Sequence, residues 1–380
     1  MFRGGRLDSQ ELKLCGCGGK WLVRVCGIDP GTSSWDIVGL DDEDVVLDTS
    51  IPTREVLEEP SRVIKIVKSM GSVDLVVAPS GYGLPLTRLK DLDEKQFFLL
   101  TLKREREDRI IGLEHVVKLL IKEGVEGYVI PGIKHLPSVP PYRKVNKIDM
   151  GTSDKLCSVA LALWETARES NVEYDDVSFV LVEMGGGFTA VIGVEQGEVV
   201  DAVGGAEGCM GFMACGGMDA EVAYLLGGFG KKLIYTGGAT YIAGYEGITP
   251  DEFALMTERD ERFRLAWDAL IEGTVKDVAS VAASLNNFDL ILLSGRLTRV
   301  ERIRRELESR LTRFSPTRRV KGFAKIAKEA AQGAALIANG LSGGFCEPLV
   351  ESLRIREACG SVLDYVYFDE IRDLRRKLCV

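Results

Sequence analysis

Histidine is scarce in this sequence, and its scarcity limits the chemistry open to the protein. The 380 residues include two histidines, His115 and His135, and nine cysteines scattered along the chain. Cys15 and Cys17 form a C-x-C pair, but no second pair matches it. Because Cys/His zinc sites need several ligands at regular spacing, the sequence disfavours one. Scattered thiols of this kind are typical of small buried residues in a reducing cytosol.

Long apolar runs and an excess of basic residues are also missing. No run approaches the roughly 20 residues of a membrane helix, and the first 20 residues lack the apolar region of a signal peptide. A net charge of −9 argues against broad nucleic-acid binding, which requires a basic face. One basic stretch, residues 299–322, carries Glu at helical spacing and is typical of a solvated helix face. We therefore expect a cytoplasmic protein that binds neither membranes nor nucleic acid.

The sequence does contain an internal repeat of a glycine-tipped hairpin. The segment "VCGIDPGTSSWDIVGLDDEDVVL", residues 25–47, aligns without a gap with "FVLVEMGGGFTAVIGVEQGEVVD", residues 179–201. Each segment predicts a meander of three short antiparallel strands. The alignment pairs Asp29 with Glu183, Gly31 with Gly185, and Gly39 with Gly193.

Each hairpin is followed by an alternation of helical and strand-like segments. "EPSRVIKIVKSM" and "VDLVVAPSG" follow the first, and "DERFRLAWDALIEGTVKDVASVAASL" and "FDLILLSGRL" follow the second. This alternation predicts an α/β architecture, and the length predicts two domains. We expect an N-terminal extension over 1–21, domains over 22–170 and 171–350, and a C-terminal helix in 351–380. The apolar stripe of that helix fits packing on the core or contact with a second copy in a homodimer.

The two glycine turns have the composition of an anion site. Backbone N–H groups in glycine turns bind anions, and Thr32, Ser33 and Ser34 add hydroxyl donors in the first turn. A carboxylate beside each turn, Asp29 or Glu183, would repel phosphate unless Mg²⁺ lay between them. If duplicated domains face each other, both turns point into one cleft. The pattern therefore predicts a site for a phosphate compound with Mg²⁺, with these two carboxylates as metal ligands.

Four motifs in this order resemble the actin, Hsp70, sugar-kinase and acetate-kinase superfamily. "GIDPGTSS" and "LVEMGGGFTAVIGVEQGEVV" look like its phosphate motifs, and "FDLILLSGRLTRV" is similar to its adenosine-side motif. "AKEAAQGAALIANGLSGG" looks like the small-residue helix that closes its second domain. The resemblance implies duplicated ribonuclease H-like (actin-like ATPase) domains, with mixed five-stranded sheets flanked by helices and a nucleotide cleft between them. The nucleotide-binding residues we predict are Asp29, Gly31, Thr32, Ser33, Ser34, Gly185, Gly186, Gly187, Thr189, Gly237, Gly238, Ser294, Gly295 and Arg296.

A closer resemblance is to a mainly archaeal group of predicted butyrate kinases. The stretch "PGIKHLPSVPPYRKVNKIDMGTSDKLCSVALA" carries it and suggests a carboxylic acid as phosphoryl acceptor. Two departures weaken a transfer of mechanism from acetate kinase. Glu183 stands where many relatives have Asp, and "MGTSDK" lacks the His that acyl kinases have in the corresponding segment.

The same stretch supplies the catalytic candidates Asp149, Arg143 and His135. A carboxylate acceptor needs a cation beside the γ-phosphate, and the fork of Arg143 suits that task. An alcohol acceptor would need a general base, for which Asp149 is the candidate. Lys155 fits phosphate binding or exposure to solvent, and solvent is slightly favoured. Ordinary solvated charges and helix caps are the alternative interpretation of all these residues.

We predict a phosphotransferase of the acetate/butyrate kinase type that uses ATP, Mg²⁺ and a small-molecule acceptor. Two alternatives stay open. One is a non-catalytic, nucleotide-dependent regulator or ATPase of the same fold. The other is an activator ATPase whose cluster lies between two subunits, for which Cys209 and Cys215, in the Gly/Met-rich stretch 202–231, are the candidate pair.

Overall fold

The first glycine-tipped hairpin builds one side of a mixed sheet. The structure, a computed structural model, describes residues 23–104 and 112–380. The strands of this sheet are β1 (Arg24–Pro30), β2 (Ser34–Asp41), β3 (Asp44–Pro52), β4 (Leu75–Val77), β5 (Thr87–Arg88) and β6 (Gly127–Val129). Their order is β3-β2-β1-β4-β6-β5. The strands β1, β4 and β6 run parallel, whereas β2, β3 and β5 pair antiparallel with their neighbours.

The second hairpin builds a sheet of the same topology. Its strands are β7 (Phe179–Met184), β8 (Thr189–Glu195), β9 (Glu198–Val203), β10 (Leu290–Ser294) and β11 (Thr317–Arg319). Their order is β11-β10-β7-β8-β9, again with a parallel half and an antiparallel half. The duplicated mixed sheets confirm the predicted fold class. One difference is that the first sheet includes an additional short antiparallel strand, β5.

The repeat extends to a matching irregularity in the two meanders. The ladder between β2 and β3 shifts register at Gly39/Leu40, and the ladder between β8 and β9 shifts at Gly193/Val194. These are the glycines that the gap-free alignment of the sequence places together. An extra residue in one strand bends it and increases its twist. Both sheets therefore bend at the same point of the repeat.

Helices cover the outer faces of both sheets and also fill the space between them. Their bounds are α1 (Thr53–Glu58), α2 (Ser61–Ser69), α3 (Glu94–Thr101), α4 (Leu113–Lys122), α5 (Ser153–Ser170), α6 (Ala220–Leu226), α7 (Ala239–Ala243), α8 (Pro250–Met256), α9 (Glu261–Ala282), α10 (Glu301–Leu311), α11 (Glu329–Leu341), α12 (Glu347–Ser352) and α13 (Asp369–Leu378). Helices α2 and α4 pack on the outer face of the first sheet. Helices α9 and α10 pack on the outer face of the second.

The helices α5 and α11 lie between the two sheets and join them. One apolar core contains both helices, Val25 and Val38 of the first sheet, and Phe179 and Leu181 of the second. Helix α5, from the first half of the chain, contacts β7, and α11, from the second half, contacts β1. We expected α11 to close the second domain, and this is corrected: the helix packs on the first sheet. Each half of the sequence thus contributes a helix to the other.

Glycine makes this close packing possible. A Cβ on Gly333 of α11 would lie 1.7 Å from the carbonyl oxygen of Cys157 on α5. A Cβ on Gly27 of β1 would lie 2.2 Å from the backbone nitrogen of Ala335 on α11. Since real Cβ atoms cannot approach so closely, these two glycines allow α11 to sit against both its neighbours.

The C-terminal segment packs back on the first half of the molecule. Ile371, Leu374 and Leu378 of α13 join the outer core of the first sheet. The Asn146 amide donates to the Tyr365 carbonyl at 2.8 Å, and the Tyr367 amide donates to Oδ1 of Asn146 at 2.8 Å. The apolar stripe of α13 therefore lies against the core of its own chain.

The basic stretch 299–322 contains α10, an amphipathic helix with a charged outer face. Arg305 pairs with Glu301, and Arg310 pairs with Glu306, each four residues away. The charges of this helix thus form the solvated face that the sequence predicted.

Candidate active site

A cavity of about 600 Å³ opens where the strand ends of both sheets meet. That volume is in the range of small-molecule sites. Many of the site residues predicted from the sequence line it. They are Asp29, Gly31, Thr32, Ser33, Ser34, Asp149, Glu183, Gly185, Gly186, Gly187, Ser294, Gly295 and Arg296.

The two glycine turns face each other across this cavity. A Cβ on Gly186 would lie 3.0 Å from Oγ of Ser33, and a Cβ on Gly187 would lie 3.4 Å from Cγ2 of Thr32. Each turn is closed by an equivalent hydrogen bond of 2.9 Å, from the Gly31 amide to the Ser34 carbonyl and from the Gly185 amide to the Phe188 carbonyl. The repeat in the sequence is therefore a repeat of two matching turns on opposite walls of one cavity.

A lysine from the second half of the chain neutralises the acids beneath the first turn. Lys328, immediately before α11, places Nζ 3.2 Å from Oδ2 of Asp29 and 3.0 Å from Oδ2 of Asp36. Both carboxylates are buried. Burial raises the pKa of Asp29 to about 6, because the effect of Lys328 offsets the desolvation only in part. The Ser34 hydroxyl donates to Asp36 at 2.9 Å.

A lysine from the first half of the chain neutralises the acid beneath the second turn. Lys155, near the start of α5, lies 2.7 Å from Oε2 of Glu183 and 2.7 Å from Oδ2 of Asp154. Burial raises the pKa of Glu183, whereas Lys155 opposes that shift. Burial tends to raise the pKa of Asp154 as well, but Lys155 and the Thr152 hydroxyl together lower it. We favoured exposure to solvent for Lys155; the structure corrects this, since the ammonium is largely buried.

The loop after β10 closes a third side of the cavity. Gly295 has φ +90°, and a Cβ there would lie 2.4 Å from the Met184 carbonyl oxygen and 2.7 Å from Oε1 of Glu183. Only glycine meets both demands readily. Ser294 pairs with Glu183 in the parallel ladder of β10 and β7. The turn predicted to cover the nucleotide therefore lies directly beside the second glycine turn.

Asp149 reaches the cavity from the segment between the halves. Its Oδ1 accepts a 2.9 Å hydrogen bond from the Gly151 amide, and its Oδ2 accepts a 3.0 Å bond from the Ala206 amide. Burial nevertheless raises its pKa. Since each oxygen keeps a second lone pair, the carboxylate can accept a further proton or hydrogen bond.

The other two catalytic candidates lie outside the cavity, and both are corrected. Arg143 donates to the backbone carbonyls of Val200 at 2.7 Å and Ser284 at 3.1 Å, so its fork anchors the second half of the chain. His135 is buried away from the cavity lining, with Nδ1 3.3 Å from the Gly132 carbonyl oxygen. Burial lowers its pKa to about 4, which makes it a neutral core residue near pH 7.

Three predicted nucleotide contacts also fall outside the cavity lining. Thr189 is buried in β8. Gly237 forms an isolated bridge with Ala214, and a Cβ on Gly238 would lie 2.5 Å from the Met213 carbonyl carbon. These glycines allow two backbone segments of the second half to touch each other. The corrected set of candidate phosphate contacts is therefore smaller than the predicted one.

The cavity also includes residues that the sequence did not single out. An aromatic and aliphatic wall is made by Tyr82, Leu100, Leu113, Ile130, Phe188 and Tyr235. The rings of Phe188 and Tyr235 meet edge to face with centroids 5.0 Å apart. Such a wall suits the apolar part of a small acceptor. Its members come from distant parts of the chain, and no local pattern marks them.

Magnesium fits this site only as a partly hydrated ion. Among residues 23–104 and 112–380, no group of three or more His, Cys, Asp or Glu could hold a metal ion. Asp29 and Glu183, the predicted metal ligands, are each held by a lysine. Mg²⁺ usually keeps several waters and takes only one or two carboxylates together with substrate phosphates. The site is compatible with that mode and not with a protein cage.

The paired sheets and the cleft between them define a duplicated actin-like ATPase fold, and solved structures of acetate and propionate kinases are similar to it. An acetate kinase from Entamoeba histolytica matches with a TM-score of 0.55 and 13% identity, over 76% of this chain and 86% of that one. A propionate kinase from Francisella tularensis matches with a TM-score of 0.59 and 13% identity, over 82% of this chain and 98% of the other. An acetate kinase from Porphyromonas gingivalis has a TM-score of 0.57 and 14% identity, over 83% and 98%.

The chain belongs to the family described as "Protein of unknown function (DUF1464)", which matches residues 27–368. Among the helices described by the structure, none has the length and apolar character needed to span a membrane.

Proposed function

We propose that this protein is an ATP- and Mg²⁺-dependent phosphotransferase whose acceptor is a small carboxylic acid. The observation that carries the proposal is the pair of equivalent glycine turns facing each other across one cavity. Gly186 and Ser33 approach so closely that a single phosphate chain can contact both turns. The two walls would be the domains 22–170 and 171–350, with the exchanged helices α5 and α11 between them.

The residues of the cavity divide into three groups with different tasks. The turn amides, with Thr32 and Ser33, would bind phosphate oxygens. Gly295 and Arg296, which also line the cavity, would contact the nucleoside. Asp29 and Glu183 would hold Mg²⁺ through its waters; when bound, the ion neutralises phosphate charge. The apolar wall around Tyr82 and Tyr235 excludes water from the acceptor, which limits hydrolysis of ATP.

A carboxylate acceptor fits the site better than an alcohol. It arrives ionised and needs no general base, so positioning and charge neutralisation are sufficient. Asp149 has both oxygens bound by backbone amides, which suits a positioning role. The names of the structural neighbours, two acetate kinases and a propionate kinase, agree with this acceptor class.

The alternative of an activator ATPase with a shared cluster receives no support from Cys209. Its Sγ lies 3.7 Å from Oγ1 of Thr274 on α9, and burial raises its pKa. A thiol packed in this way is poorly placed to hold a cluster between two subunits.

A screen of acceptors tests the proposal. The protein is incubated with ATP, Mg²⁺ and single short-chain carboxylates or sugars, and ADP release is followed. Acyl-phosphate formation, trapped as the hydroxamate, is expected with a carboxylate and not with sugars. ADP release with sugars would mean that the acceptor is an alcohol and not a carboxylic acid. ATP binding without acceptor-dependent ADP release would instead identify a nucleotide-dependent regulator.

A further inference from the structure

We propose that Lys155 and Lys328 are the phosphate-binding cations of this site, and that in the free protein they link the two halves of the chain. The inference rests on the proposed function, because it requires a nucleotide in the cavity. It assigns to these two residues the charge-neutralising role for which Arg143 is wrongly placed.

Lys328 links the halves from the side of the second sheet. It precedes α11, and its ammonium lies 3.2 Å from Asp29 and 3.0 Å from Asp36, both of the first sheet. A Cβ on Gly31 would lie 2.4 Å from its Nζ, so the ammonium sits directly against the first glycine turn. The Lys328 ammonium makes a third contact, 3.5 Å from Nζ to the Ser34 carbonyl oxygen.

Lys155 mirrors this arrangement from the opposite side. It belongs to α5 of the first half, and its ammonium lies 2.7 Å from Glu183 at the end of β7 in the second sheet. Its second partner, Asp154, is its neighbour on α5. Both lysines therefore cross between the halves beneath the two turns that would bind phosphate.

The charge balance explains why these ammonium groups are available to a ligand. Four carboxylates, those of Asp29, Asp36, Asp154 and Glu183, share two ammonium groups, and both lysines line the cavity. A polyphosphate accompanied by Mg²⁺ can exchange partners with them: the ammonium groups turn to phosphate oxygens while carboxylates face the hydrated cation. Arg296 and Lys232 also line the cavity but are exposed, where solvent and salt weaken their interactions. Lys103 and Lys231 line it as well and are half-buried. Lys231 donates to the Thr101 carbonyl and lies over the Tyr82 ring, so it belongs to the apolar wall.

Two charge-balanced double variants test the proposal. Lys328→Met with Asp36→Asn, and Lys155→Met with Asp154→Asn, each remove one ammonium and one carboxylate, so that the net buried charge stays the same. Asp29 in the first variant and Glu183 in the second lose their lysine partner. Affinity for ATP, ADP and adenosine is measured by calorimetry with Mg²⁺. We expect ATP and ADP to bind about 10- to 100-fold more weakly to each variant, as for the loss of a charge-assisted hydrogen bond, and adenosine to bind as before.

The pattern of ligands separates a phosphate contact from a merely structural role. Equal weakening of ATP and adenosine would mean that the lysines only hold the halves together, and unchanged ATP binding would overturn the inference while leaving the proposed function intact. If the unmodified protein binds no ATP, the proposed function fails as well. Lys276→Met is the control, since this lysine pairs with Glu272 at 2.6 Å on the outer helix α9; its ATP affinity should equal that of the unmodified protein.

A spectroscopic experiment on the unmodified protein covers the case in which a double variant does not fold. The Cε–Hε signals of the lysine side chains are followed by NMR as ATP with Mg²⁺ or adenosine is added. ATP should shift the signal of Lys328 and leave that of Lys276 in place, whereas adenosine should shift neither. An unchanged Lys328 signal at saturating ATP would refute its contact with phosphate.

Discussion

A Cβ atom on Gly186 would lie 3.0 Å from Oγ of Ser33, although 153 residues separate the two in sequence. This contact joins the two glycine turns across the cavity, so a branched side chain there would force them apart. Gly186→Val should weaken ATP binding about 100-fold. The valine side chain would overpack the contact between the turns, which costs about 1–3 kcal/mol, and it would also block the turn amides. Titration calorimetry with ATP and Mg²⁺ measures the effect.

The matched control for this variant is Gly247→Val, since a Cβ at Gly247 meets nothing within 4 Å. It should bind ATP as the unmodified protein does. Gly186 is a better test than Gly31, where a Cβ would lie 2.4 Å from Nζ of Lys328 and disturb its ion pairs. Normal ATP binding by Gly186→Val would show that the turns do not grip the nucleotide together.

The crossing of α5 and α11 gives a prediction about stability. A Cβ on Gly333 would lie 1.7 Å from the Cys157 carbonyl oxygen, and neither helix backbone can yield without moving a sheet. Gly333→Ala should therefore lower the free energy of unfolding by about 3 kcal/mol or more, despite the better helix propensity of alanine. Urea denaturation followed by circular dichroism measures the change. Gly247→Ala is the control, and an unfolding midpoint for Gly333→Ala equal to that of the control would refute the tight crossing.

The sequence was sufficient to predict the duplication and the facing turns. The alignment pairs Gly39 with Gly193, and the structure has a register shift at each of these two glycines. Local patterns of this kind are readable because strand alternation and turn chemistry act over a few residues.

The pairing of Lys328 with Asp29 could not be read from the sequence in the same way. These residues are separated by 299 positions, and no periodicity links a lysine before a helix to an acid at the end of a distant strand. His135 was misjudged for a related reason. A segment rich in proline and charge indicates a surface loop, but the Cys359 amide donates to the His135 carbonyl at 3.0 Å, and the C-terminal segment covers this region.

Arg143 should affect stability and leave the chemistry intact. Its guanidinium satisfies the carbonyls of Val200 and Ser284, so Arg143→Met should lower the free energy of unfolding by about 1–3 kcal/mol. KM for ATP and for the acceptor should stay within about threefold. Arg305→Met is the control, because this exposed arginine pairs with Glu301 on α10 and such pairs contribute little. A large fall in kcat for Arg143→Met, with unchanged stability, would restore Arg143 as a catalytic candidate.

Asp149 separates the two acceptor classes. General-base catalysis contributes about 10²- to 10⁴-fold, so Asp149→Asn should abolish transfer to an alcohol. Transfer to a carboxylate needs no base, and kcat should fall less than about tenfold, with ATP affinity unchanged. Steady-state ADP release with each active acceptor measures both cases. A loss above 100-fold with a carboxylate acceptor would mean that Asp149 has a role beyond positioning.

The buried His135 predicts a specific acid sensitivity of the fold. Burial lowers its pKa from 6.5 to about 4, so the unfolded chain takes up a proton at a higher pH than the folded protein. The stability that the neutral ring contributes is complete above pH 6.5 and is lost as the pH falls to 4, by about 3 kcal/mol in total.

His135→Gln, which cannot titrate, should lose correspondingly less stability over this range. The pKa of Asp29 is shifted in the opposite direction, to about 6, so the contribution of Asp29 to stability is lost as the pH rises. This effect is the same in the unmodified protein and in His135→Gln, and it cancels when the two are compared. The urea midpoints of the unmodified protein and of His135→Gln should differ by the same amount at pH 7.5 and at pH 8.5. This difference between the two proteins should shrink or reverse towards pH 4.5. Parallel curves down to pH 4.5 would show that His135 is solvated and not part of the core.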